Sequence, residues 1–271
     1  MPELPEVETI RKDLERLAIG KTISATDVIE PRLVRNKPSY FKKSLTGGHF
    51  VKMERKGKLL IMELSNGNFL LARLGMTGQL IYGRENLPAK HVRAMIRFED
   101  GSILSFNDIR KFGYLFLATC AEKDSVVSKI GMDPLDQGFS PDHFRSLLGN
   151  KKGILKAFLL DQKIISGIGN IYADEICFRS KLKPDRKIES LNDKDIEKLY
   201  NSTIEIISLA VKHRGTSFSD YVDAEGKKGN YIKHLNVYQR EKEHCKNCGK
   251  RSIKKIRATG RSTRYCENCQ K

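Results

Sequence analysis

The spacing of apolar residues changes along this chain of 271 residues, and the change predicts more than one kind of structure. From Pro5 to Leu17 the apolar positions recur at helical spacing, so a helix that ends near Gly20 is predicted. Strand-like runs follow it: HFVKMERKGKLLIMEL, FLLARL, RAMIRFED, SILSF and YLFLA. The turn sequences SNGN and Asp100-Gly101 separate neighbouring runs and are typical of antiparallel hairpins. The first part of the chain is therefore expected to form a sandwich or a compact antiparallel sheet layer.

The strand signal gives way to helical periodicity beyond residues 133–140, where turn residues cluster. We therefore place a domain boundary in this segment and predict an α+β protein with two domains. A helix is predicted to begin after Asn192, which can cap it, and to end before Gly215. The polar, glycine-rich run TSFSDYVDAEGKKGNYIKH then predicts a long mobile loop, and loops of this length are often functional.

The charge balance points to a polyanionic partner. Fifty Lys and Arg residues stand against 33 acids, and the formal net charge is +17. A basic surface attracts phosphates and releases their counterions, although ribosomal proteins, membrane-surface proteins and nucleases share this property. No apolar run is long enough to span a membrane, and no basic segment followed by an apolar stretch suggests a signal peptide. The protein is expected to work in the cytoplasm.

The cysteines near the carboxyl end give the strongest local signal. Two C-x2-C pairs are separated by 17 residues, a spacing that predicts a tetrahedral Zn²⁺ site with four protein ligands. Such a site leaves no open position for substrate, so a single structural zinc is expected. Its ligands are Cys245, Cys248, Cys266 and Cys269. Cys120 and Cys177 stand alone in apolar surroundings and are predicted to be buried thiols.

The amino terminus carries a candidate nucleophile. If Met1 is removed, the secondary amine of Pro2 becomes the chain terminus, and an α-amine has a pKa of roughly 7.7 to 8.0 against about 10.4 for lysine. Attack of this amine on a sugar C1′ gives a cationic iminium, from which a phosphate can be eliminated. Glu3 and Glu6 are near enough in sequence to act as acid and base. The same acids also suit an ordinary helix start, so these ten residues alone leave both interpretations open.

Several separated motifs carry a family resemblance. They are PELPEVET, RKGKLLIMEL, LGMTG, DIRKFG, GIGNIYADE and the terminal cysteine pairs. Together they resemble the bacterial formamidopyrimidine-DNA glycosylase family, also called 8-oxoguanine DNA glycosylase, from Pro2 to Gln270. The resemblance implies an enzyme that excises oxidised purines from damaged double-stranded DNA and then cleaves the strand by β,δ-elimination. It implies a monomer that acts at the bacterial nucleoid.

The family architecture also implies domain bounds. We expect a catalytic β-sandwich domain over 1–132, a linker over 133–140, a helix-two-turn-helix domain with a lesion-capping loop over 141–240, and a zinc-bearing β-hairpin over 241–271. In this resemblance Pro2 is the nucleophile, Glu3 the general acid and proton shuttle, and Glu6 helps to hold the site. Lys58 matches a lysine near the lesion and its phosphate, and Arg261 an arginine that grips phosphates.

The resemblance further implies a set of DNA contacts. Met76, Arg110 and Phe112 would fill the gap left when the damaged base rotates out of the stack. The other residues expected to bind DNA are His91, Lys156, Asn170 and Tyr238. Residues 216–231 would close over the extruded base.

The sequence departs from its relatives at Arg73, where a histidine is common, and in the loop sequence KKGNY. These changes affect the expected details of base recognition more than the reaction. Two alternatives stay open: an endonuclease VIII-like enzyme for oxidised pyrimidines, and a non-catalytic zinc-bearing nucleic-acid-binding protein. The PELPEVET start argues against the first, and the second assigns no role to that start.

Overall fold

The computed structural model describes residues 2–84, 89–149, 151–250 and 252–271. The chain divides into two compact units, which we call unit 1 (Met1–Lys129 and His213–Ile232) and unit 2 (Ile130–Lys212 and Lys233–Lys271). Residues 213–232 therefore belong to unit 1, whereas the expected domain bounds grouped them with 141–240.

Unit 1 begins with the predicted amino-terminal helix. Helix α1 runs from Leu4 to Ala18, with Glu3 as its N-cap and Pro5 in its first turn. Its apolar face is buried at Leu4, Val7, Ile10 and Leu14. Two shorter helices complete the helical part of this unit: α2 (Pro38–Leu45) and α3 (Cys120–Val127).

Two antiparallel four-stranded sheets form the predicted sandwich of unit 1, which confirms the α+β class. One sheet has the order β1-β6-β7-β5, with the strands β1 (Ile23–Val28), β5 (Gly78–Gly83), β6 (Val92–Phe98) and β7 (Ile103–Asp108). The other has the order β2-β3-β4-β8, with β2 (Phe50–Lys56), β3 (Leu59–Leu64), β4 (Phe69–Arg73) and β8 (Tyr114–Ala118). Strictly alternating burial along β6 shows one face on the core. The core includes Phe41, Phe50, Leu60, Met62, Leu70, Ile96 and Phe106.

Residues 216–234 were predicted to be a mobile loop, but the part of this loop that belongs to unit 1, within segment 213–232, is fixed there by buried side chains. Tyr221 and Ala224 belong to the core of the unit, and the Tyr82 amide donates a 2.7 Å hydrogen bond to the Ala224 carbonyl. Arg214, in a left-handed conformation, pairs with the buried carboxylates of Asp13 (2.6 Å) and Asp223 (2.5 Å). At these positions the loop is packed rather than loose.

In the described residues of unit 2 there are four α-helices and one hairpin. Its helices are α4 (Pro141–Leu148), α5 (Leu155–Leu160), α6 (Asn170–Arg179) and α7 (Asp193–Lys212). Asn192 caps α7 as predicted, because its side-chain oxygen accepts a 3.0 Å hydrogen bond from the Asp195 amide. Strands β9 (Lys254–Ala258) and β10 (Arg261–Tyr265) form the carboxyl-terminal hairpin. In the described part of the chain, no helix is both long and apolar enough to cross a bilayer.

One of the two isolated cysteines is not where the sequence predicted it. Cys177 is fully buried in α6, as expected, but Cys120 is exposed at the start of α3. The reason is that α3 buries none of its residues. Cys120, the first residue of α3, therefore lies outside the core although the strand before it is apolar. The prediction of a buried thiol at Cys120 was wrong.

Candidate functional site

The amino-terminal residues of unit 1 are placed by a buried carboxylate. Pro2 is buried, and Glu3 and Glu6 are each only 1% exposed. One carboxylate oxygen of Glu6 accepts a 2.8 Å hydrogen bond from the Glu3 amide, and the other accepts a 2.7 Å bond from the Thr216 amide. Glu6 therefore joins the start of α1 to the segment 213–232.

Gly215 lies directly against Glu6, and this close approach explains why a glycine occupies the position. Its φ is +77°, and an added Cβ would lie 2.6 Å from Oε1 of Glu6. A side chain here would be strained by its backbone conformation and would displace the carboxylate. Sequence reasoning placed Gly215 only as a helix terminator, and nothing in its local pattern shows the approach to Glu6.

Lys58 lies in the turn between β2 and β3, and a buried ion pair fixes that turn. Arg55 has a side chain only 5% exposed and pairs with Glu8 of α1 at 2.9 Å. Arg55 also donates a 2.9 Å hydrogen bond to the carbonyl of Gly57, whose φ is +57°. Glu8 thus takes part in holding the turn that carries the half-buried Lys58.

The three residues expected to enter the DNA stack are exposed in two adjoining segments of unit 1. Met76 is 36% exposed and Phe112 is 56% exposed, and Arg110 is exposed beside Phe112. The Arg110 guanidinium lies 4.8 Å from the centre of the Phe112 ring. Large exposed apolar side chains cost solvation energy, so this pairing favours a binding role over a packing role.

His91 directly precedes strand β6, and Arg73 ends strand β4, both in unit 1. His91 is half-buried, and its Nδ1 atom finds no hydrogen-bond partner within the described residues. Arg73, which stands where relatives commonly have histidine, is the exposed last residue of β4. The guanidinium can still bind a phosphate, but it cannot act as an imidazole does.

In unit 2, Asn170 and Lys156 converge on the strand that carries Arg261. Asn170 is the first residue of α6, and its side-chain nitrogen Nδ2 donates a 3.1 Å hydrogen bond to the Ser262 carbonyl. Its side-chain oxygen is buried and finds no partner within the described residues. Arg261 itself is exposed at the start of β10.

Lys156 is fully buried, a position that differs from that of a surface DNA contact. Its ammonium lies 2.6 Å from Asp174 and also donates hydrogen bonds to Thr263 Oγ1 (2.8 Å) and the Ser262 carbonyl (3.2 Å). The other oxygen of Asp174 accepts from the Arg264 amide at 3.0 Å. Burial lowers the pKa of Lys156 and raises the pKa of Asp174 to about 7, while the attraction between the two opposes both shifts. The pair therefore ties α5 and α6 to β10.

Tyr238 is positioned by a residue that the sequence reasoning missed. The buried carboxylate of Glu175 in α6 accepts hydrogen bonds from the amides of Asn236, Val237 and Tyr238, at 2.9 to 3.1 Å. The Tyr238 ring lies 4.6 Å from the guanidinium of Arg264. Glu175 ends the motif GIGNIYADE, and its role depends on a segment 61 residues away.

The four predicted cysteine ligands come together in unit 2. All four Sγ atoms lie within 4.8 Å of one another, and the pairs Cys245–Cys269 and Cys248–Cys266 are each 3.8 Å apart. A tetrahedron with Zn–S bonds of about 2.3 Å has edges of about 3.8 Å, so the thiols fit a tetrahedral metal ion. The cluster is suited to hold a metal ion with four sulfur ligands.

Comparison with known proteins gives one consistent family. Residues 1–115 match the formamidopyrimidine-DNA glycosylase N-terminal domain, and residues 130–222 match the H2TH domain of the same glycosylase. The formamidopyrimidine-DNA glycosylase of Desulforamulus reducens is 40% identical over 276 residues, covering 100% of this chain and 99% of the relative.

Solved structures agree over the full length. The Thermus thermophilus MutM (Fpg) protein gives a TM-score of 0.88 at 36% identity, covering 99% of this chain and 98% of that one. The Lactococcus lactis Fpg bound to DNA that contains N7-benzyl-Fapy-dG gives a TM-score of 0.92 at 34% identity, with 99% of each chain covered. The chain therefore belongs to the formamidopyrimidine-DNA glycosylase family.

Proposed function

We propose that this protein is a base-excision repair glycosylase that removes oxidised purines, such as 8-oxoguanine and formamidopyrimidines, from duplex DNA and then cleaves the abasic strand. The observation that carries the proposal is the buried Glu6 carboxylate, which fixes the residues beside Pro2 through the Glu3 and Thr216 amides. A chain terminus fixed in this way, with Glu3 buried beside it, suits a reaction centre better than a frayed end does.

The reaction follows from the chemistry of a terminal secondary amine. After Met1 is removed, the Pro2 nitrogen forms a bond to C1′ and gives up its N–H proton, while the bond from C1′ to the base breaks and the departing base takes up a proton. Glu3 delivers a proton to the sugar as its ring opens, which leaves a cationic iminium. Loss of a C2′ proton then expels the 3′ phosphate, and a second elimination expels the 5′ phosphate.

The remaining site residues bind and distort the DNA in this proposal. Lys58 and Arg261 contact phosphates near the lesion, and His91, Asn170 and Tyr238 add further contacts to the DNA. Met76, Arg110 and Phe112 fill the space that the rotated base leaves. Lys156, being buried, serves this binding through the position of β10 rather than through its own charge.

The four-cysteine cluster holds one structural zinc ion in this proposal. Four thiolates from the protein complete the shell, so the ion supplies cross-linking of the hairpin and no position for water or substrate. The protein binds damaged double-stranded DNA as a monomer at the bacterial nucleoid. Light scattering of the free protein and of its DNA complex tests the monomer.

Borohydride trapping tests the reaction centre. The purified protein is mixed with duplex DNA that contains 8-oxoguanine opposite cytosine, and borohydride reduces any iminium to a stable adduct. We expect an adduct that maps to the amino-terminal peptide. Pro2→Gly, which replaces the secondary amine by a primary amine, should strongly reduce strand cleavage, whereas the matched control Pro5→Ala, in the first turn of α1, should retain it.

Other outcomes would contradict the proposal in distinct ways. An adduct formed only with oxidised pyrimidines indicates an endonuclease VIII-like specificity. DNA binding without any adduct indicates a non-catalytic nucleic-acid-binding protein. Undiminished cleavage by Pro2→Gly, or retention of Met1 in the active protein, overturns the assignment of the nucleophile.

A further inference from the structure

A buried carboxylate lies beneath the two segments that carry Met76, Arg110 and Phe112. Asp108, the last residue of β7, is completely buried. One of its oxygens accepts hydrogen bonds from the Thr77 hydroxyl (2.5 Å) and the Arg110 amide (3.2 Å).

The second oxygen of Asp108 binds the other side of the Phe112 segment. It accepts a 2.7 Å hydrogen bond from the Gly113 amide. The Thr77 hydroxyl in turn accepts a 2.9 Å hydrogen bond from the Arg110 amide, so Asp108 and Thr77 share that donor. Asp108 thus brackets Phe112 between the Arg110 and Gly113 amides.

The two segments touch through their backbones, which leaves room only for glycine at the contact. A Cβ on Gly75 would lie 2.7 Å from the Phe112 carbonyl carbon, and a Cβ on Gly113 would lie 2.7 Å from the Arg73 carbonyl oxygen. Neither atom can move without moving the main chain. Segment 74–78 and segment 109–113, which we call the wedge, therefore form one backbone-packed body, and Met76, Arg110 and Phe112 are among its exposed side chains.

We propose that Asp108 is the positioning residue of the wedge. Met76 is 36% exposed and Phe112 is 56% exposed, so the placement of these two side chains depends on the backbone beneath them. A carboxylate that binds donors from both segments fixes this backbone before DNA arrives. The conformational entropy of ordering the wedge is then already lost in the free protein and does not weaken insertion. This inference rests on the proposed function, because it assigns a role to residues that enter DNA there.

The test separates insertion from chemistry. Asp108→Ala, Asp108→Asn and Thr77→Val are compared with wild type in single-turnover excision of 8-oxoguanine from duplex DNA. Cleavage of a single-stranded abasic oligonucleotide, where no base stack is opened, reports the Pro2 centre alone. Asp195→Asn, a buried carboxylate of unit 2, is the matched control for loss of a buried charge.

We expect Asp108→Ala to slow duplex excision at least tenfold and to leave single-strand cleavage within twofold of wild type. Asp108→Asn and Thr77→Val, which keep part of the hydrogen bonding, should give smaller losses in the same direction. In a Phe112→Ala background, Asp108→Ala should have a smaller further effect than in wild type, because one of the side chains that it places is absent. Asp195→Asn should not separate the two activities.

A direct readout of insertion uses 2-aminopurine beside a tetrahydrofuran abasic analogue, which the enzyme cannot cleave. Wild type should raise the fluorescence by unstacking the reporter, and Asp108→Ala should reduce that rise. Equal losses of duplex and single-strand cleavage, or full additivity with Phe112→Ala, would overturn the positioning role. If Asp108→Ala does not fold, Thr77→Val decides by the same criteria. Absence of any excision by wild type would instead contradict the proposed function.

Discussion

The amino-terminal centre of unit 1 and the cysteine hairpin of unit 2 hold residues near the chain ends in place by different interactions. Each must fix a residue near a chain end, Pro2 in one case and Arg261 in the other. The terminus of unit 1 lies on a large apolar core and is fixed by hydrogen bonds to Glu6. The hairpin has only a small cluster that includes Phe178, Val237 and Ile253, and four thiols surround a space of metal size.

The difference reflects how much surface each region can bury. A small element cannot offset its conformational entropy by burial alone, so it needs a metal or another cross-link. The apolar face at the start of α1 packs on the sandwich, so only the residues that precede the helix, beside Pro2, need hydrogen bonds to fix their position. We therefore expect loss of the metal to disorder the hairpin, loss of the buried ion pair to weaken unit 2, and loss of one Glu6 contact to have the smallest effect.

Removing the metal tests the first half of the comparison. Cys266→Ser, or treatment with a strong chelator, should release the ion and disorder the hairpin, because binding free energy at such sites is folding free energy. DNA affinity should fall on the order of 100-fold as the hairpin cations lose their placement. Metal content is measured by mass spectrometry and affinity by fluorescence anisotropy.

Cys120→Ser is the control, since this exposed thiol stands apart from the cluster. It should retain one zinc and the wild-type affinity. An unchanged affinity for the metal-free protein would show that the ion is not what places the hairpin.

Loss of the buried Lys156–Asp174 ion pair in unit 2 is expected to have the second largest effect. Lys156→Met leaves Asp174 buried without its cation, which should lower the free energy of unfolding by about 3 to 5 kcal/mol. Lys156→Met with Asp174→Leu should recover most of that loss, because it removes the uncompensated charge. Urea unfolding at neutral pH measures both.

The pH dependence of the stability of Lys156→Met tests whether Asp174 is the group responsible for the loss of stability. Burial raises the pKa of Asp174 in the folded state, and losing Lys156 removes an interaction that lowers it. The folded variant then binds more protons than the unfolded chain, so its stability should fall as pH rises from about 5 to 8. Adding Asp174→Asn should remove this slope, and a slope that persists would assign it to another group.

The two regions also differed in how well the sequence predicted them. The C-x2-C pairs predict the four thiols that come together, because the short spacing within each pair is a local feature of the sequence. The hairpins around SNGN and Asp100-Gly101 and the cap at Asn192 were confirmed for a similar reason, since their chemistry is local. The edge strands β1 and β5 were not predicted individually, because their pairing partners are distant in sequence.

Long-range carboxylate contacts account for most of what the sequence could not indicate. Glu6 meets Thr216 across 210 positions, and Glu175 meets Tyr238 across 63. Asp174 meets the Arg264 amide across 90 positions. No periodicity or local motif encodes such a pairing, since each acid looks like an ordinary helical residue until the chain has folded. The exposure of Cys120 was not predicted for the same reason, because the burial of a helix residue depends on which other parts of the chain pack against that helix.

The second half of the comparison is tested at Glu6. Glu6→Gln keeps one acceptor oxygen but turns an amide NH₂ toward the amide of either Glu3 or Thr216, so one buried donor is left unsatisfied. We expect the free energy of unfolding to fall by about 1 to 3 kcal/mol. The rate of borohydride trapping should fall more than the affinity for an uncleavable abasic duplex, because the contact places the terminus and not the hairpin.

Glu15→Gln is the matched control on the same helix, since its carboxylate is about half exposed and pairs only at the surface with Arg11. Its effect on stability and trapping should be close to zero. A loss for Glu6→Gln that exceeds the loss for Lys156→Met would reverse the ranking. The position of the amino terminus of unit 1 would then depend mainly on the Glu6 carboxylate. The large apolar core beneath α1 would not be sufficient to hold that terminus in place.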